Sequence, residues 1–375
     1  MSNTKTKIQE SIAEQLADLG EGRNLVIAAT GVGKSRIGVL RVESVIEKNP
    51  KANILIVVPT EELRDKTWKE QFGLWGKIEN YDSINTICYK SICNITDENF
   101  DLVIFDEVQN LTVNNSVFLQ NNNIKESLSL TATFPHDLKK QEILSSFNKV
   151  IEITLKQSVD QNLVSNFKII PVYVTLDQHV KQVRAGNKNR PFLTTEYANS
   201  EYLNGAINNL VATPFKTQGD YSRLKMLRIK RYQFLGSLNS KVSEASRILK
   251  KLEAEEKRTV IFSPSIKVAN RISPFTYHSE SSNDKFLNMF IEKEINSLSV
   301  VDRLNEGVNI PDVDAEIIFQ TSRSELTLTQ RIGRSIRYRE DHQAIIYVLI
   351  AKNTVEEEWF ESSTKNMKDF IFHEN

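Results

Sequence analysis

The stretch Ala28-Ala29-Thr30-Gly31-Val32-Gly33-Lys34-Ser35 carries the clearest chemistry in the sequence. Two glycines allow a tight loop whose backbone N–H groups, with a following helix N-terminus, can surround a polyphosphate. Thr30, Gly31, Val32 and Gly33 would form the cradle. Lys34 would place a point charge on the β/γ-phosphates, and the Ser35 hydroxyl would ligate Mg²⁺. A second cluster, Asp106-Glu107-Val108-Gln109, supplies adjacent carboxylates. Metal-dependent hydrolysis needs one group to hold the cation through its water shell and another to orient or deprotonate the attacking water. Asp106 is assigned the first role and Glu107 the second. A third cluster runs from Gln330 to Arg337. On a helix, Gln330, Arg334 and Arg337 share a face within roughly 60°, and such guanidinium groups suit the charge that develops on a γ-phosphate. The chemistry is hydrolysis of a nucleoside triphosphate, with ATP and Mg²⁺ as the expected cofactors. A dinucleotide fingerprint is disfavoured, because Arg36 stands where its third glycine is required.

These clusters need a scaffold that ends strands in loops. Leu25-Val26-Ile27 precedes the phosphate loop, and a helix is expected from Lys34 to about Glu47. Further strands are expected at Asn53–Val58, Ser83–Tyr89, Leu102–Phe105 and Leu128–Leu130, with helices at residues 6–20 and from Glu61 to about Phe72. Continuous apolar runs suit a parallel sheet covered on both faces. The phosphate loop, Thr60, Asp106 and Thr131 all fall at strand carboxyl ends, where such folds bind ligands. Beyond Pro171 the strand signals fade, Arg184 to Pro191 reads as a polar loop, and Asp220 to Leu252 reads as helical. Strand signals return at Val260–Ser263, Ser297–Arg303, Ala315–Gln320 and Ala344–Ile350. The expected fold class is therefore α/β, with two parallel-sheet domains in tandem. The expected divisions are residues 1–165, a mainly helical linking segment 166–256, a second domain 257–355, and a tail 356–375.

The chain has 375 residues, 40% of them hydrophobic and 26% charged, as in a globular protein. Apolar runs are too short for a bilayer, and no signal-peptide pattern opens the chain. Its two cysteines cannot make a zinc site alone. A cytoplasmic location is the expectation. Forty-eight basic residues balance forty-eight acidic ones, so nucleic-acid binding would depend on local basic surface. Arg223, Lys225, Arg228, Lys230 and Arg231 provide one candidate. Four of them, Lys225 excepted, spread over about 160° of a helix, which suits either a phosphate-gripping surface or a solvated basic face. Tyr221 and Tyr232 beside it suit base stacking or packing.

Taken together, these motifs resemble those of superfamily 2 helicases and translocases. Residues 29–35 resemble motif I, Val58 to Leu63 motif Ia, Asp106 to Gln109 motif II and Thr131-Ala132-Thr133 motif III. Val260 to Ser263 resembles motif IV, Leu304 to Pro311 motif V, and Gln330 to Arg337 motif VI. The wording is nearest to UvsW-type phage helicases, XPB-like helicases and restriction-enzyme motors. The resemblance implies two RecA-like domains, with Arg337 as arginine finger and Arg334 and Gln330 reading the γ-phosphate. It implies Gly307 and Asn309 at the junction of nucleotide and nucleic acid, and Thr60 on a strand phosphate. Gln109, Thr131 and Thr133 would couple hydrolysis to domain movement, and Gln9 stands where relatives read adenine. Motif II ends in Gln109 where commoner classes carry His or Asp; glutamine keeps hydrogen bonding but cannot titrate.

The implied activity is an ATP-dependent DNA helicase or branch-remodelling translocase, moving 3′ to 5′. Single-stranded, forked or branched DNA would be the partner of a monomer free of membranes. An RNA helicase and an ATP-switched nucleic-acid clamp or sensor are the alternatives.

Overall fold

The computed structural model describes residues 3–75, 78–81, 84–134, 137–187, 189–214, 216–281, 283–301, 310, 312–335, 339 and 342–373. The chain divides into two compact units, each built on its own six-stranded sheet.

The first unit comprises Met1–Asn166, Leu304–Ile310 and Thr329–Gln343. Its strands are β1 (Gly22–Ala28), β2 (Ile54–Val58), β3 (Asn85–Cys88), β4 (Asn99–Asp106), β5 (Asn123–Thr131) and β6 (Asn148–Ile153). They run in the order β3-β2-β4-β5-β1-β6, every pair parallel. Residues of β2 are buried without alternation, as expected for a strand covered on both faces. Ile27 pairs with Thr131, and Asp106 with Leu130. This register brings the ends of β1, β4 and β5 to one sheet edge. Leu25, Ile27, Val57, Phe105 and Phe118 form part of one core beneath that edge.

The second unit comprises Phe167–Arg303, Pro311–Leu328 and Ala344–Asn375. Its sheet uses β7 (Asn166–Val174), β10 (Thr259–Phe262), β11 (Thr276–Tyr277), β12 (Ser297–Val300), β13 (Ala315–Ile318) and β14 (Gln343–Ala351), in the order β11-β12-β10-β13-β14-β7. Between β7 and β10 lies an antiparallel ribbon of β8 (Val183–Asn187) and β9 (Arg190–Thr194). Helices Glu196–Ala212, Gln218–Leu235 and Asn239–Ala254 follow.

The segment expected to be mainly helical therefore begins with three strands. Strand signals were expected to fade beyond Pro171, but Pro171 lies within β7, at the edge of the sheet, where strands accept proline. The expected polar loop at Arg184 to Pro191 holds the ribbon's turn and parts of both strands. Its residues are largely exposed, so no alternation of buried and exposed positions marks it. Helix Asn239–Ala254 is no linker, because Val242, Ala245, Ile248, Leu249 and Leu252 pack with Ile261, Ile317 and Phe319 of the sheet. Two buried groups hold its N-terminal end. Glu196 accepts hydrogen bonds from the backbone N–H groups of Asp177, Asn239 and Ser240. Lys241 Nζ lies 2.9 and 2.8 Å from the two Glu356 carboxylate oxygens, with neither side chain exposed.

Candidate active site

The phosphate loop follows β1 directly. Gly31 has φ +89° and Gly33 φ +96°, a region that glycine enters without a Cβ penalty. Both positions are also sterically closed. An added Cβ would come within 2.8 Å of Val164 Cγ1 at Gly31, and 2.2 Å of Gln9 Nε2 at Gly33. Gly33 caps helix Lys34–Lys48, so Lys34 and Ser35 stand in the first turn, where backbone N–H groups have no partner within the helix.

The first helix, Asn3–Leu19, braces this loop from behind. Lys5 Nζ donates to the Gly31 carbonyl at 2.5 Å, and Gln9 Nε2 to the Val32 carbonyl at 2.7 Å. Gln9 Oε1 accepts from Arg36 Nη1 at 2.8 Å, and the Arg36 guanidinium lies 4.3 Å from the centre of the Trp75 ring. Gln9 is thus buried with both ends of its amide engaged by the loop and its helix.

The carboxylates stand opposite. Asp106 ends β4 and is buried, with Oδ2 accepting from Trp68 Nε1 at 3.0 Å. Burial pushes its carboxyl up to about 6, and the neighbouring Glu107 charge adds to the rise. A divalent cation would act in the opposite sense, stabilising the ionised form. Glu107 takes a left-handed backbone conformation, φ 50° and ψ 58°. Such a conformation is uncommon outside glycine, and strain of this kind concentrates at functional sites. The turn aims Glu107 at the loop, with Oε1 3.7 Å from Lys34 Nζ. Lys34 Nζ also lies 3.4 Å from the Ala28 carbonyl.

From Glu107 a line of side chains leads to the end of β5. Gln109 Nε2 donates to Glu107 Oε2 at 2.6 Å. The Thr131 hydroxyl lies 2.8 Å from both Gln109 Oε1 and the Thr133 carbonyl. Gln109 and Thr131 are buried, so these bonds are little weakened by water. The Asp106 backbone is pinned in turn, since Tyr89 Oη donates to its carbonyl at 2.9 Å.

Helix Glu325–Ser335 carries Gln330. Its part from Thr329 onward groups with the first unit. There Thr30 Oγ1 donates to the Thr329 carbonyl at 3.1 Å, and a Cβ on Gly333 would lie 2.2 Å from Thr30 Oγ1. Gly333 is required for this approach of helix backbone to loop.

Comparison with known proteins decides the family. Residues 3–136 match the family described as "Type III restriction enzyme, res subunit", and residues 240–339 match "Helicase conserved C-terminal domain". The chain is 26% identical to the "DNA 3'-5' translocase XPB2" of Sulfurisphaera tokodaii, over 94% of this chain and 83% of that protein. The chain belongs to the superfamily 2 helicases and translocases. Solved structures show the same fold. The Hef helicase domain of Pyrococcus furiosus superposes with a TM-score of 0.58 at 16% identity, covering 95% of this chain and 97% of that one. The "ATP-dependent Type ISP restriction-modification enzyme LlaBIII bound to DNA" superposes with a TM-score of 0.60 at 14% identity, covering 97% of this chain and 29% of that longer one. The two sheets are thus the RecA-like folds of a helicase-family enzyme.

Within this superfamily 2 chain, the structure gathers Thr30, Gly31, Val32, Gly33, Lys34, Asp106, Glu107, Gln109, Thr131 and Thr133 into one site. Ser35 sits half-buried in the first turn of its helix, and Thr60 half-buried just past the end of β2. Gln330 is half-buried on its helix. Arg334 belongs to that helix, but its side chain lies outside the described residues, as do Gly307, Asn309 and Arg337 entirely. The basic group falls on helix Gln218–Leu235 of the second unit. Arg223, Lys225, Arg228 and Lys230 are exposed, whereas Arg231 is partly buried and donates to Asn204 Oδ1 at 3.1 Å. Leu224 and Leu227 turn inward against Leu203 and Ile207. Tyr221 and Tyr232 are both exposed.

Sequence reasoning missed Trp68, Lys5, Arg36 and Tyr89. Lys5 shares a helix face with Gln9, four positions on, and that spacing was the available signal. Trp68 gave none, because a local irregularity decides where it points.

Proposed function

We propose that this enzyme is an ATP-dependent DNA helicase or translocase that unwinds or branch-migrates DNA, moving 3′ to 5′. The observation that carries the reading is the line Lys34–Glu107–Gln109–Thr131. An ion pair from Lys34 to Glu107, followed by hydrogen bonds from Gln109 to Glu107 and from Thr131 to Gln109, joins the phosphate loop, the acidic pair and the Thr-Ala-Thr segment. The XPB2 relative, a DNA 3′-5′ translocase by name, supports DNA as the polymer and the direction.

Mg-ATP is the fuel in this reading, and the residues present fit it. Ser35 and Asp106 offer the hard oxygen donors that Mg²⁺ prefers, and Mg²⁺ would supply charge neutralisation between the phosphates. Lys34, which leans on Glu107 and the Ala28 carbonyl, would turn to the β/γ-phosphates. Glu107, released from Lys34 and still held by Gln109, would orient the attacking water and take its proton. Gln330, Arg334 and Arg337 would meet the charge developing on the γ-phosphate. Gln9, with both ends of its amide engaged by the loop and its helix, would act through the loop it braces and not by reading adenine. Gly307, Asn309 and Thr60 would lie along the nucleic acid.

We take residues 1–165 and 257–355 as the two motor domains, with 166–256 between them and 356–375 as a tail. ATP would be hydrolysed at their interface. Thr131 and Thr133, tied to Gln109, would sense loss of the γ-phosphate and change the grip on a strand held by its phosphates, largely without regard to sequence. The working form would be a monomer. The motor would act in the cytoplasm on single-stranded, forked or branched DNA, in repair or recombination. Among the described residues, no helix is long and apolar enough to cross a membrane.

Steady-state ATPase rates with no polymer, single-stranded DNA, duplex, forked and four-way DNA, and RNA, at one salt concentration, test this reading. Stimulation by DNA, greatest on branched forms, is expected. Stimulation by RNA alone would replace it with an RNA helicase. Equal rates throughout would replace it with an ATP-switched clamp.

A further inference from the structure

Trp68 belongs to no cluster that the hydrolytic chemistry required, yet its indole N–H donates to Asp106 Oδ2 at 3.0 Å. Trp68 is 1% exposed. A buried indole N–H needs an acceptor, and the one it meets here is the carboxylate that ends β4. Indole is a donor only and carries no charge. It can therefore fix the orientation of a carboxylate without competing with a cation for the site, as a lysine or arginine would.

Local structure aims the ring. The residues after Thr60 start as an α-helix and widen into a π-turn at Leu63–Thr67, closed by a bond from the Trp68 N–H to the Leu63 carbonyl. An i→i+5 turn inserts one residue, which rotates everything beyond it by about 100° relative to a regular helix. The Arg64 carbonyl within the turn accepts from Tyr81 Oη at 3.0 Å, so the widening is held by tertiary structure. The ring then lies across helix Lys34–Lys48 directly above Gly38. A Cβ there would stand 2.7 Å from Trp68 Cη2, so the absence of a side chain at Gly38 leaves room for the indole. One side chain thus touches the helix that begins with Lys34 and Ser35, and the carboxylate that ends β4.

We propose that Trp68 is a positioning residue for Asp106: its N–H holds one carboxylate oxygen so that the other faces the metal of the bound nucleotide. The inference rests on the hydrolytic reading above, because it presumes that Asp106 serves a cation. Removing the N–H should weaken metal binding more than nucleotide binding, and should leave the fold intact where the ring is conserved.

The experiment uses the full chain labelled with ¹⁵N. The three tryptophans give indole N–H resonances, and the Trp68 signal is the one that disappears in Trp68→Phe. A non-hydrolysable ATP analogue is added first with EDTA and then with excess MgCl₂. The Trp68 signal is expected to move on addition of Mg²⁺, beyond its shift with the analogue alone. Trp68→Phe is expected to raise the half-saturating Mg²⁺ concentration for ATPase at least fivefold, with an unchanged affinity for the analogue in EDTA. Gly38→Ala, which pushes the ring from the other side, should raise the Mg²⁺ requirement in the same direction. A Trp68 signal unmoved by Mg²⁺, with a Mg²⁺ requirement in Trp68→Phe within twofold of the parent, overturns the inference alone. Failure of the parent chain to bind the analogue at all overturns the hydrolytic reading together with it.

Discussion

Glu107 is the residue on which the proposed hydrolysis turns. It is held in a left-handed backbone turn and paired on one side with Lys34 and on the other with Gln109. Glu107→Gln keeps the shape and the hydrogen bonding but removes the proton acceptor. General-base catalysis contributes about 10²–10⁴-fold, so turnover should fall by at least a hundredfold while nucleotide affinity stays within a few-fold. Parallel ATPase and fluorescent-nucleotide titrations check this, and normal hydrolysis by the variant would remove Glu107 from the role of base. The loop side offers a steric counterpart. Gly333→Ala would drive a methyl group to 2.2 Å from Thr30 Oγ1, so the helix must lift away from the loop. A fall of tenfold or more in kcat/KM for ATP is expected, equivalent to about 1.4 kcal/mol. Unchanged kinetics would show that this approach has no part in the reaction.

Elements explain which of these residues could be read in advance. Asp106, Thr131 and the phosphate loop were legible because each closes an apolar run, and a parallel sheet puts such ends on one edge. Strands β2, β4, β5, β10, β13 and β14 were legible for the same reason. Trp68 was not, since reading its direction needs the π-turn that precedes it. Nor was the ribbon β8–β9, whose exposed strands carry no burial period, or β7, where an edge position excuses a proline. The buried pair Lys241–Glu356 was also hidden: two charges more than a hundred positions apart give no local signal. Its geometry makes a stability prediction. With both side chains fully buried, removing one charge strands the other, at a cost of about 3–5 kcal/mol. Glu356→Ala should show that destabilisation in denaturant unfolding of the second unit, whereas Lys241→Met with Glu356→Leu together should recover most of it. A Glu356→Ala variant as stable as the parent would mean that Lys241 finds another partner or deprotonates at little cost. The relay through β5 makes a functional one. Thr131→Val keeps the shape but cannot bond Gln109. Basal ATPase should remain within about threefold while stimulation by DNA disappears. Full stimulation in that variant would remove Thr131 from coupling.

At the scale of the molecule, the balance of charge constrains how DNA can be held. Forty-eight basic and forty-eight acidic residues leave no net attraction to steer a polyanion, so the grip must come from a small local set of cations. Each neutralised phosphate releases condensed counterions, which makes log affinity fall with log salt by about 0.7 per phosphate on single strands. The slope therefore reports how many phosphates are held, and the intercept does not. Helix Gln218–Leu235 exposes Arg223, Lys225, Arg228 and Lys230, while Leu224 and Leu227 fix the helix against its neighbour. Replacing Arg223, Arg228 and Lys230 with glutamine leaves those leucines untouched, so the helix should stay in place. If this face holds the strand, the triple variant should bind single-stranded DNA more weakly. Its salt slope should be shallower by up to about two, at about 0.7 for each phosphate no longer neutralised. Basal ATPase without DNA should not change, because these residues belong to the second unit and not to the phosphate site. A weaker affinity at unchanged slope would mean that the variant disturbs packing and leaves the phosphate grip intact. An unchanged affinity would make the helix a solvated basic surface and leave the strand to the segment after β2, where Thr60→Ala is the next substitution to measure.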